Sequence, residues 1–362
     1  MINNLQALRA VAALLVVFFH LMHLEPRLST APPVLPEWFL AGTGGVDLFF
    51  VISGFIMVWV TKGYTPGVAA GTDFLYKRAT RIYPLYWFYS IVLLVLYFLQ
   101  PNTLATLKEN RVDLLASFLL IPDDAQPLLN VGWTLRHEIY FYGVFTVILT
   151  CIREQHMPFF LLAWAAVIAA VDLSGWSNGP TAEIVFSPYT FEFIAGSLVA
   201  LAAERRHLYL PRMIAVAGLL LACIPVIIFL TNEPFARGVF GQPWWRVLLF
   251  GLPGVLLVYG MVGIELCGKW MAKKWLVAIG NASYSLYLAH FVVFLIFAKL
   301  WRIAGLNPGS HHMLFLLGLL VSAVVWCLIS YRFIEKPLLD RARDLRKWYR
   351  ERAVGEHHNE GS

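Results

Sequence analysis

The chain has 362 residues, of which 59% are hydrophobic and only 14% are charged. About a quarter of the residues of a soluble globular domain are charged, so this composition excludes such a domain and indicates a protein that crosses a membrane several times. The net charge of +6 comes mostly from basic residues in short loops between apolar segments, which is typical of membrane topology and not of nucleic-acid binding.

Apolar segments long enough to cross a bilayer occur at about ten places, which predicts an all-α polytopic bundle of about ten transmembrane helices. They lie near residues 5–23, 46–62, 84–100, 134–152, 158–173, 189–204, 212–231, 247–266, 282–301 and 312–334. A further apolar piece at 112–121 is too short to cross. We predict a transmembrane domain over residues 1–336 and a charged cytoplasmic tail over 337–362.

The distribution of lysine and arginine between alternate loops predicts the orientation. If the N-terminus is cytoplasmic, the cytoplasmic loops and the tail hold most of the basic residues. The opposite loops hold only Arg27, Lys108, Arg111, Arg237, Arg246 and Arg302. Because cytoplasmic loops are enriched in lysine and arginine, we expect both termini in the cytoplasm and an even number of spans.

The first segment carries two ionisable side chains, Arg9 and His20, within an apolar helix. Their separation corresponds to about three full turns and a rise of about 16 Å, so both lie on one face at different depths. Ionisable groups inside a membrane usually line a path for a substrate, an ion or protons. The alternative is that each lies at one membrane boundary without a function.

The second segment opens with GGVDLFFVISGF, residues 44–55, and the orientation above places Asp47 at its outer end, level with His20. A carboxylate near an imidazole can hold its tautomer and raise its basicity, as in many acid–base sites. Alternatively, Asp47 caps the helix N-terminus, and the spacing favours neither role. The glycines of this stretch, including Gly45 and Gly54, predict close contact with neighbouring helices.

Lys77, Arg78 and Arg81 lie in the loop that we predict before the third segment, just ahead of Pro84. On a helix Arg78 and Arg81 share a face. Because the guanidinium fork matches the geometry of phosphate, this pair suits a phosphorylated donor in the cytoplasm. The alternative is ordinary positive-inside charge in contact with anionic lipids.

The fourth segment begins with three consecutive ionisable residues, Arg136, His137 and Glu138, which we place at or inside the outer boundary. Successive helical side chains point about 100° apart, so the three cannot all face lipid or all reach water. Glu138 shares a face with Tyr142, four residues later. The cluster indicates a buried polar site.

The ninth segment has a polar stripe, Ser283, Tyr287 and His290, at helical spacing. Such a stripe lines an active site or forms a hydrogen-bonded seam between helices. The two interpretations weigh equally for His290, and the seam is favoured for Ser283. The four cysteines show no metal-ligand spacing, so we expect neither disulfides nor a bound metal.

In their order along the chain, these motifs resemble the acyltransferase-3 family of integral membrane acyltransferases. The resemblance rests on the spacing from Arg9 to His20, the GVDLFFVISGF stretch, the pair Arg78 and Arg81, SYSLYLAH at 283–290 and YRFIEKP at 331–337. It covers nearly the whole chain. The VGWTLRHEIYFY segment is most similar to the branch of exopolysaccharide, succinoglycan-type O-acetyltransferases.

The resemblance implies a membrane O-acyltransferase that takes an acyl group, usually acetyl, from cytoplasmic acyl-CoA. The implied acceptor is a hydroxyl of an extracytoplasmic or lipid-linked polysaccharide. The implied location is the bacterial cytoplasmic (inner) membrane, with several spans in contact with membrane lipids. Acyl-CoA, typically acetyl-CoA, is then a co-substrate, and no cofactor is permanently bound.

On this basis we expect the two arginines before the third segment to hold the phosphates of CoA, with Arg9 in contact with the donor further in. His20 then acts as general base on the acceptor hydroxyl, oriented by Asp47 or Glu138.

Arg136 and Tyr142 are candidates for stabilising the oxyanion. Tyr287 and His290 are expected to line the substrate path. Direct transfer and a transient acyl-histidine both remain open.

A different class of protein also fits the buried charges, namely a proton-coupled transporter or flippase for a sugar-lipid or polysaccharide. Against it, the sequence has no internal inverted repeat and no pair of broken spans. A membrane binding or sensing protein without turnover is the third alternative.

Overall fold

The computed structural model describes residues 2–99, 112–176 and 178–359, and every regular element within them is a helix. The prediction of an all-α polytopic membrane bundle is confirmed. Lys108, Arg111 and the end of the predicted tail lie outside the described residues.

The α-helices are numbered here in chain order. They are α1 (Asn3–Leu28), α2 (Gly44–Thr61), α3 (Val68–Leu99), α4 (Leu114–Leu119), α5 (Gly132–Cys151), α6 (Met157–Leu173), α7 (Pro180–Val185), α8 (Thr190–Glu204), α9 (Pro211–Ala222), α10 (Ile224–Thr231), α11 (Glu233–Phe240), α12 (Pro243–Arg246), α13 (Leu252–Leu266), α14 (Lys274–Asn281), α15 (Ser283–Ile303), α16 (His312–Ser330) and α17 (Lys336–Asn359).

Within the described parts of the chain, nine helical segments are long and apolar enough to cross a membrane. They are Asn3–Leu28, Glu37–Thr61, Val68–Leu99, Glu154–Leu173, Pro180–Glu204, Pro211–Thr231, Pro243–Leu266, Ser283–Ile303 and His312–Trp348. The remaining predicted span is the fourth, 134–152, which corresponds to α5. This helix has 20 residues but is less apolar because its first turns hold three ionisable side chains. The short apolar piece at 112–121 contains only the six-residue α4.

The third span begins much earlier than its apolar stretch. Helix α3 starts at Val68, so the loop predicted for Lys77, Arg78 and Arg81 is wrong. The three side chains project from a continuous helix, which fixes Arg78 and Arg81 on one face.

The helix α3 continues through Pro84, although proline removes one backbone hydrogen bond and usually ends a helix. Prolines are tolerated in membrane helices where neighbouring groups satisfy the freed backbone. The carbonyl that loses its backbone donor is that of Thr80, four residues before Pro84. Two residues further on, the Tyr284 hydroxyl of α15 donates to the carbonyl of Ile82, at 2.8 Å. This bond also ties α15 to the arginine-bearing part of α3.

Glycines bring α2 into backbone contact with two neighbours, as predicted. A Cβ at Gly45 would overlap the carbonyl oxygen of Ala12 on α1, and one at Gly54 would overlap that of Phe193 on α8. Ser197 also donates to the Gly54 carbonyl, at 3.1 Å. The position of α2 against α1 and α8 is therefore fixed by its backbone.

Two π-helical turns interrupt the helices next to buried charges. One, Val247–Gly251, directly follows Arg246, and the other, Tyr331–Glu335, ends at Glu335. Both charged side chains are nearly inaccessible to solvent. Because π turns are common at functional sites, their positions indicate a functional site near Arg246 and Glu335.

Candidate active site

Two cavities lie inside the bundle along one side of α1. The larger, of about 690 Å³, is lined by Val16 and His20, and we call it the His20 cavity. The other, of about 410 Å³, is lined by Gln6 and Arg9, and we call it the Arg9 cavity. The face predicted from the spacing of Arg9 and His20 thus faces the interior at both depths.

Val46 of α2 and Tyr287 of α15 line both cavities, so these two side chains lie at the boundary between them, which we call the neck. The Tyr287 hydroxyl lies 2.7 Å from Oγ1 of Thr134 and 3.2 Å from the carbonyl oxygen of Val131. The tyrosine predicted to line the substrate path therefore lies where the two cavities meet.

The Arg9 cavity brings together the three arginines that the sequence singled out as donor contacts, Arg9, Arg78 and Arg81. Arg9 donates to Oε1 of Gln6, at 3.2 Å. Arginines from α1 and α3 thus converge on one cavity whose other walls are mostly apolar.

Arg78 is the most buried of these three side chains, with 8% of its surface exposed. Its guanidinium lies over the rings of Phe74, at 5.3 Å, and Tyr142, at 5.8 Å. Its buried Nε has no hydrogen-bond partner among the described residues. Because an unpaired buried donor is costly, this atom is available to a ligand with a hydrogen-bond acceptor.

Arg81 is held at the edge of the same cavity by the π turn that ends α16. Its Nη1 lies 3.8 Å from Oε1 of Glu335, while the other oxygen of Glu335 accepts from the Ser285 hydroxyl at 2.7 Å. The YRFIEKP motif thus supplies the carboxylate that orients Arg81.

Glu138 lines the Arg9 cavity and not the His20 cavity. The prediction that Glu138 lies level with His20 and orients its ring is therefore wrong. The carboxylate accepts from the Ser53 hydroxyl, at 2.8 Å, and from the Tyr142 hydroxyl. Tyr142, which the sequence suggested as an oxyanion stabiliser, lines the same cavity. The reason is the helical step: Glu138 points about 100° away from its neighbour and one residue further along α5.

His20 contacts a second histidine, His290 of α15. Nδ1 of His20 lies 2.9 Å from the carbonyl oxygen of Val16 and 3.2 Å from Nε2 of His290. Nδ1 of His290 lies 3.1 Å from the carbonyl oxygen of Leu286. His290, the last residue of the polar stripe on α15, therefore contacts His20, the residue that we predict to be the general base.

These contacts assign the tautomers of both neutral rings. A carbonyl oxygen only accepts, so Nδ1 of His290 carries the proton and its Nε2 is an acceptor. Nδ1 of His20 then donates, to Val16 and to His290, and Nε2 of His20 is left with its lone pair. That is the protonation state a general base requires.

Asp47 does not pair with His20, contrary to one of the two orienting partners that the sequence suggested. It is fully buried and accepts from Arg246 of α12, with contacts of 3.2 Å to Nε and 2.5 Å to Nη2. Arg246 also donates to the Thr43 carbonyl at 3.1 Å, just before α2. Because a guanidinium and a carboxylate bind in bidentate fashion, Asp47 fixes α12 against the start of α2.

Arg136 and His137 line the His20 cavity, unlike the next residue in the chain. Arg136 donates through Nη1 to the carbonyls of Asp123 and Ala125, at 3.0 and 3.2 Å. The guanidinium thereby holds the segment before α5 over the cavity. Buried Nδ1 of His137 has no partner among the described residues.

Sequence reasoning missed the role of Arg246, which it counted only as a loop charge. The guanidinium is packed over the rings of Tyr189, at 5.3 Å, and Trp133, at 5.9 Å, and all three side chains line the His20 cavity. The available signal was an arginine directly before an apolar span, at the same end of the bundle as Asp47.

Comparison with known proteins shows the family to which the chain belongs. A family model described as an acyltransferase domain matches residues 2–332. The chain is 32% identical over 317 residues to the exopolysaccharide production protein ExoZ of Rhizobium meliloti (strain 1021). The aligned region covers 84% of this chain and 92% of ExoZ. It is 21% identical over 365 residues to the O-acetyltransferase OatA of Staphylococcus aureus (strain NCTC 8325 / PS 47), which covers 92% of this chain and 57% of OatA. No solved structure matches.

The family match extends over all the motifs quoted above except the end of YRFIEKP. It decides against the transporter and the sensor as alternatives. The chain belongs to the acyltransferase-3 family, and it is a multi-pass membrane O-acyltransferase.

Proposed function

We propose that the protein transfers an acetyl group from cytoplasmic acetyl-CoA to a hydroxyl of an extracytoplasmic or lipid-linked polysaccharide. The proposal is supported by ExoZ, whose name links it to exopolysaccharide production, and by OatA, named as an O-acetyltransferase. The observation that carries it is the meeting of the His20 cavity and the Arg9 cavity at Val46 and Tyr287.

The Arg9 cavity suits the donor. CoA has phosphates at one end and a narrow pantetheine arm at the other. The cavity combines arginines, which can bind phosphates, with apolar walls along which the arm can pack. Arg78 and Arg81 bind the phosphates, and Arg9 contacts the donor further in. The arm then extends along α1 and presents the thioester at the neck.

The His20 cavity suits the acceptor, because its walls carry hydroxyl-binding side chains such as Asp124, Gln126 and Asn130. Nε2 of His20 removes the proton of the acceptor hydroxyl as the oxygen attacks the thioester carbonyl. The carbon–sulfur bond then breaks, and the protonated imidazole returns the proton to the CoA thiolate. His290 keeps Nδ1 of His20 engaged throughout.

Alternatively, His20 first takes the acetyl group and then passes it to the hydroxyl. The same Nε2 lone pair serves as nucleophile in this route. In both routes a negative charge develops on the carbonyl oxygen and needs a donor. Arg136 fits this role better than Tyr142 or Tyr287. It lines the His20 cavity and its buried Nε has no partner among the described residues, whereas the hydroxyls of the two tyrosines already donate to Glu138 and to the Val131 carbonyl.

The orientation follows from the basic residues on the side of the Arg9 cavity. Arg78 and Arg81 face that cavity, and the strongly basic α17 packs there, where Arg346 forms an ion pair with Asp73 of α3. The Tyr76 hydroxyl donates to the carbonyl of Ala342, at 2.8 Å. The positive-inside rule supports a cytoplasmic location for this side, and the membrane that we propose is the bacterial inner membrane.

The test uses the purified full chain in liposomes with acetyl-labelled acetyl-CoA and polysaccharide from cells that lack the gene. We expect label to enter the polysaccharide as an alkali-labile ester, and no label with protein-free liposomes. In parallel, mass spectrometry should find one additional acetyl group per modified unit only in cells with the gene. No labelled product and identical glycan masses would refute the proposal.

A further inference from the structure

The neck between the two cavities has walls that cannot easily move. Gly45, directly before Val46, is in backbone contact with Ala12 of α1, so α2 cannot shift toward α1 to widen the passage. Val46 itself is 7% exposed. This side of the neck is therefore set by two helices whose backbones already touch.

The opposite wall, the ring of Tyr287, is held at both ends. Its hydroxyl is tied to the first turn of α5 by the contacts with Thr134 and Val131 described above. Its ring edge meets Phe49 in a T-shaped contact, with centroids 5.8 Å apart. A side chain fixed by hydrogen bonds and by an aromatic contact does not change rotamer without losing both.

The acyl group is the part of the donor that has to enter this neck. If the phosphates bind at Arg78 and Arg81, the thioester leads the donor upward along α1, and the acyl chain points ahead of it toward His20. Each additional methylene then has to fit between a fixed valine and a fixed tyrosine. Forcing extra methylenes into packed surroundings is unfavourable, because it displaces side chains from their preferred rotamers.

We propose that Val46 and Tyr287 form a size filter for the acyl group, so that the enzyme transfers acetyl and rejects propionyl and longer acyl groups. The filter rests on the proposed function, because it assumes that the donor enters from the Arg9 cavity. Val46 determines the width of the passage, and the tether of Tyr287 maintains it.

The experiment compares kcat/KM for acetyl-, propionyl- and butyryl-CoA in the liposome assay. For the natural chain we expect propionyl-CoA to be used at least about tenfold less well than acetyl-CoA, since one methylene commonly changes selectivity by about 10–200-fold. Val46→Ala removes two methyl groups from the wall and should lower this ratio about tenfold. Val11→Ala, a lipid-exposed valine that lines neither cavity, should leave the ratio unchanged.

Tyr287→Phe provides an independent variant, because it keeps the ring and removes only the tether. It should also lower the ratio, by less than Val46→Ala. The filter is overturned if the natural chain uses propionyl-CoA as well as acetyl-CoA, or if Val46→Ala leaves the ratio unchanged while acetyl transfer continues. Absence of transfer from every donor would instead refute the proposed function, and the filter with it.

Discussion

The two cavities differ in how their charges are engaged. In the His20 cavity, Arg246 is paired with Asp47 and Arg136 is bound to backbone carbonyls, so the cations hold the protein together. In the Arg9 cavity, Arg78 lies over the rings of Phe74 and Tyr142, and its buried Nε, like that of Arg136, has no hydrogen-bond partner among the described residues. The difference therefore lies in the carboxylates: the buried Arg246 has one in Asp47, whereas Arg78 forms no ion pair with the described residues.

The two cavities also differ in the polarity of the side chains that line them. Polar and aromatic side chains line the larger cavity, as a hydrated sugar requires, and apolar side chains line most of the smaller one, as a pantetheine arm allows. We therefore expect the loss of a substrate contact in one cavity to change KM for one substrate only. The following predictions test that division.

The largest effect is expected from His20→Ala. Removal of the Nε2 base should lower kcat by about 10²–10⁴, while KM for acetyl-CoA stays within about twofold because the donor binds in the other cavity. The matched control is His23→Ala, one turn further along α1, where the ring is exposed and bonded to the Phe19 carbonyl. Undiminished turnover in His20→Ala, at equal protein levels in the membrane, would exclude His20 as the base or nucleophile.

The next effect concerns stability. Asp47→Ala leaves the guanidinium of Arg246 buried without its carboxylate and should lower the free energy of unfolding by about 3–5 kcal/mol. Replacing both residues, as Asp47→Leu with Arg246→Met, should recover a large part of this loss. Thermal unfolding in detergent ranks the stabilities of the natural chain, the single variant and the double variant.

The control for this stability change is an exposed ion pair. Arg237 contacts Glu37 at 2.6 Å and Glu233 at 2.7 Å, and Arg237→Ala should cost less than about 1 kcal/mol because exposed pairs contribute little. If Asp47→Ala is no more destabilising than Arg237→Ala, the charges of the His20 cavity are not structural, and the contrast between the cavities fails.

The donor side is tested by Arg78→Gln. Loss of charge-assisted hydrogen bonds of about 1.5–3 kcal/mol should raise KM for acetyl-CoA about tenfold to hundredfold, and KM for the polysaccharide should not change. Lys77→Gln is the matched control, since the adjacent lysine points away from the cavity and pairs with Asp73 at 2.9 Å. An increase in the KM of the polysaccharide instead would assign Arg78 to the acceptor.

Local features of the site could be predicted from the sequence, because they depend on helical periodicity alone. The common face of Arg9 and His20, the pair Arg78 and Arg81, and the close approach at Gly45 all follow from residues within one helix. The loop predicted around the arginine pair failed because Pro84 was taken as a helix boundary, whereas α3 continues through this proline.

Partners across the bundle could not be predicted in the same way. Asp47 and Arg246 are 199 residues apart, and His20 and His290 are 270 apart, so no local pattern relates them. A carboxylate at the level of an imidazole was a reasonable partner by depth. The depth of a residue in the membrane does not give the rotation of its helix about the helix axis. In the structure this rotation directs Asp47 toward Arg246 and Glu138 toward Ser53 of α2.

The smallest effect is expected at His290, because His20 has two acceptors for the same proton. Without His290, Nδ1 of His20 still donates to the Val16 carbonyl, at 2.9 Å, so the tautomer is weakened but not lost. One hydrogen bond contributes about 0.5–1.5 kcal/mol, and His290→Ala should therefore lower kcat about threefold to tenfold. His290→Gln, whose amide oxygen can accept the same proton, should retain more activity than His290→Ala. A loss in His290→Ala as large as that in His20→Ala would show that the second histidine takes a direct part in the chemistry.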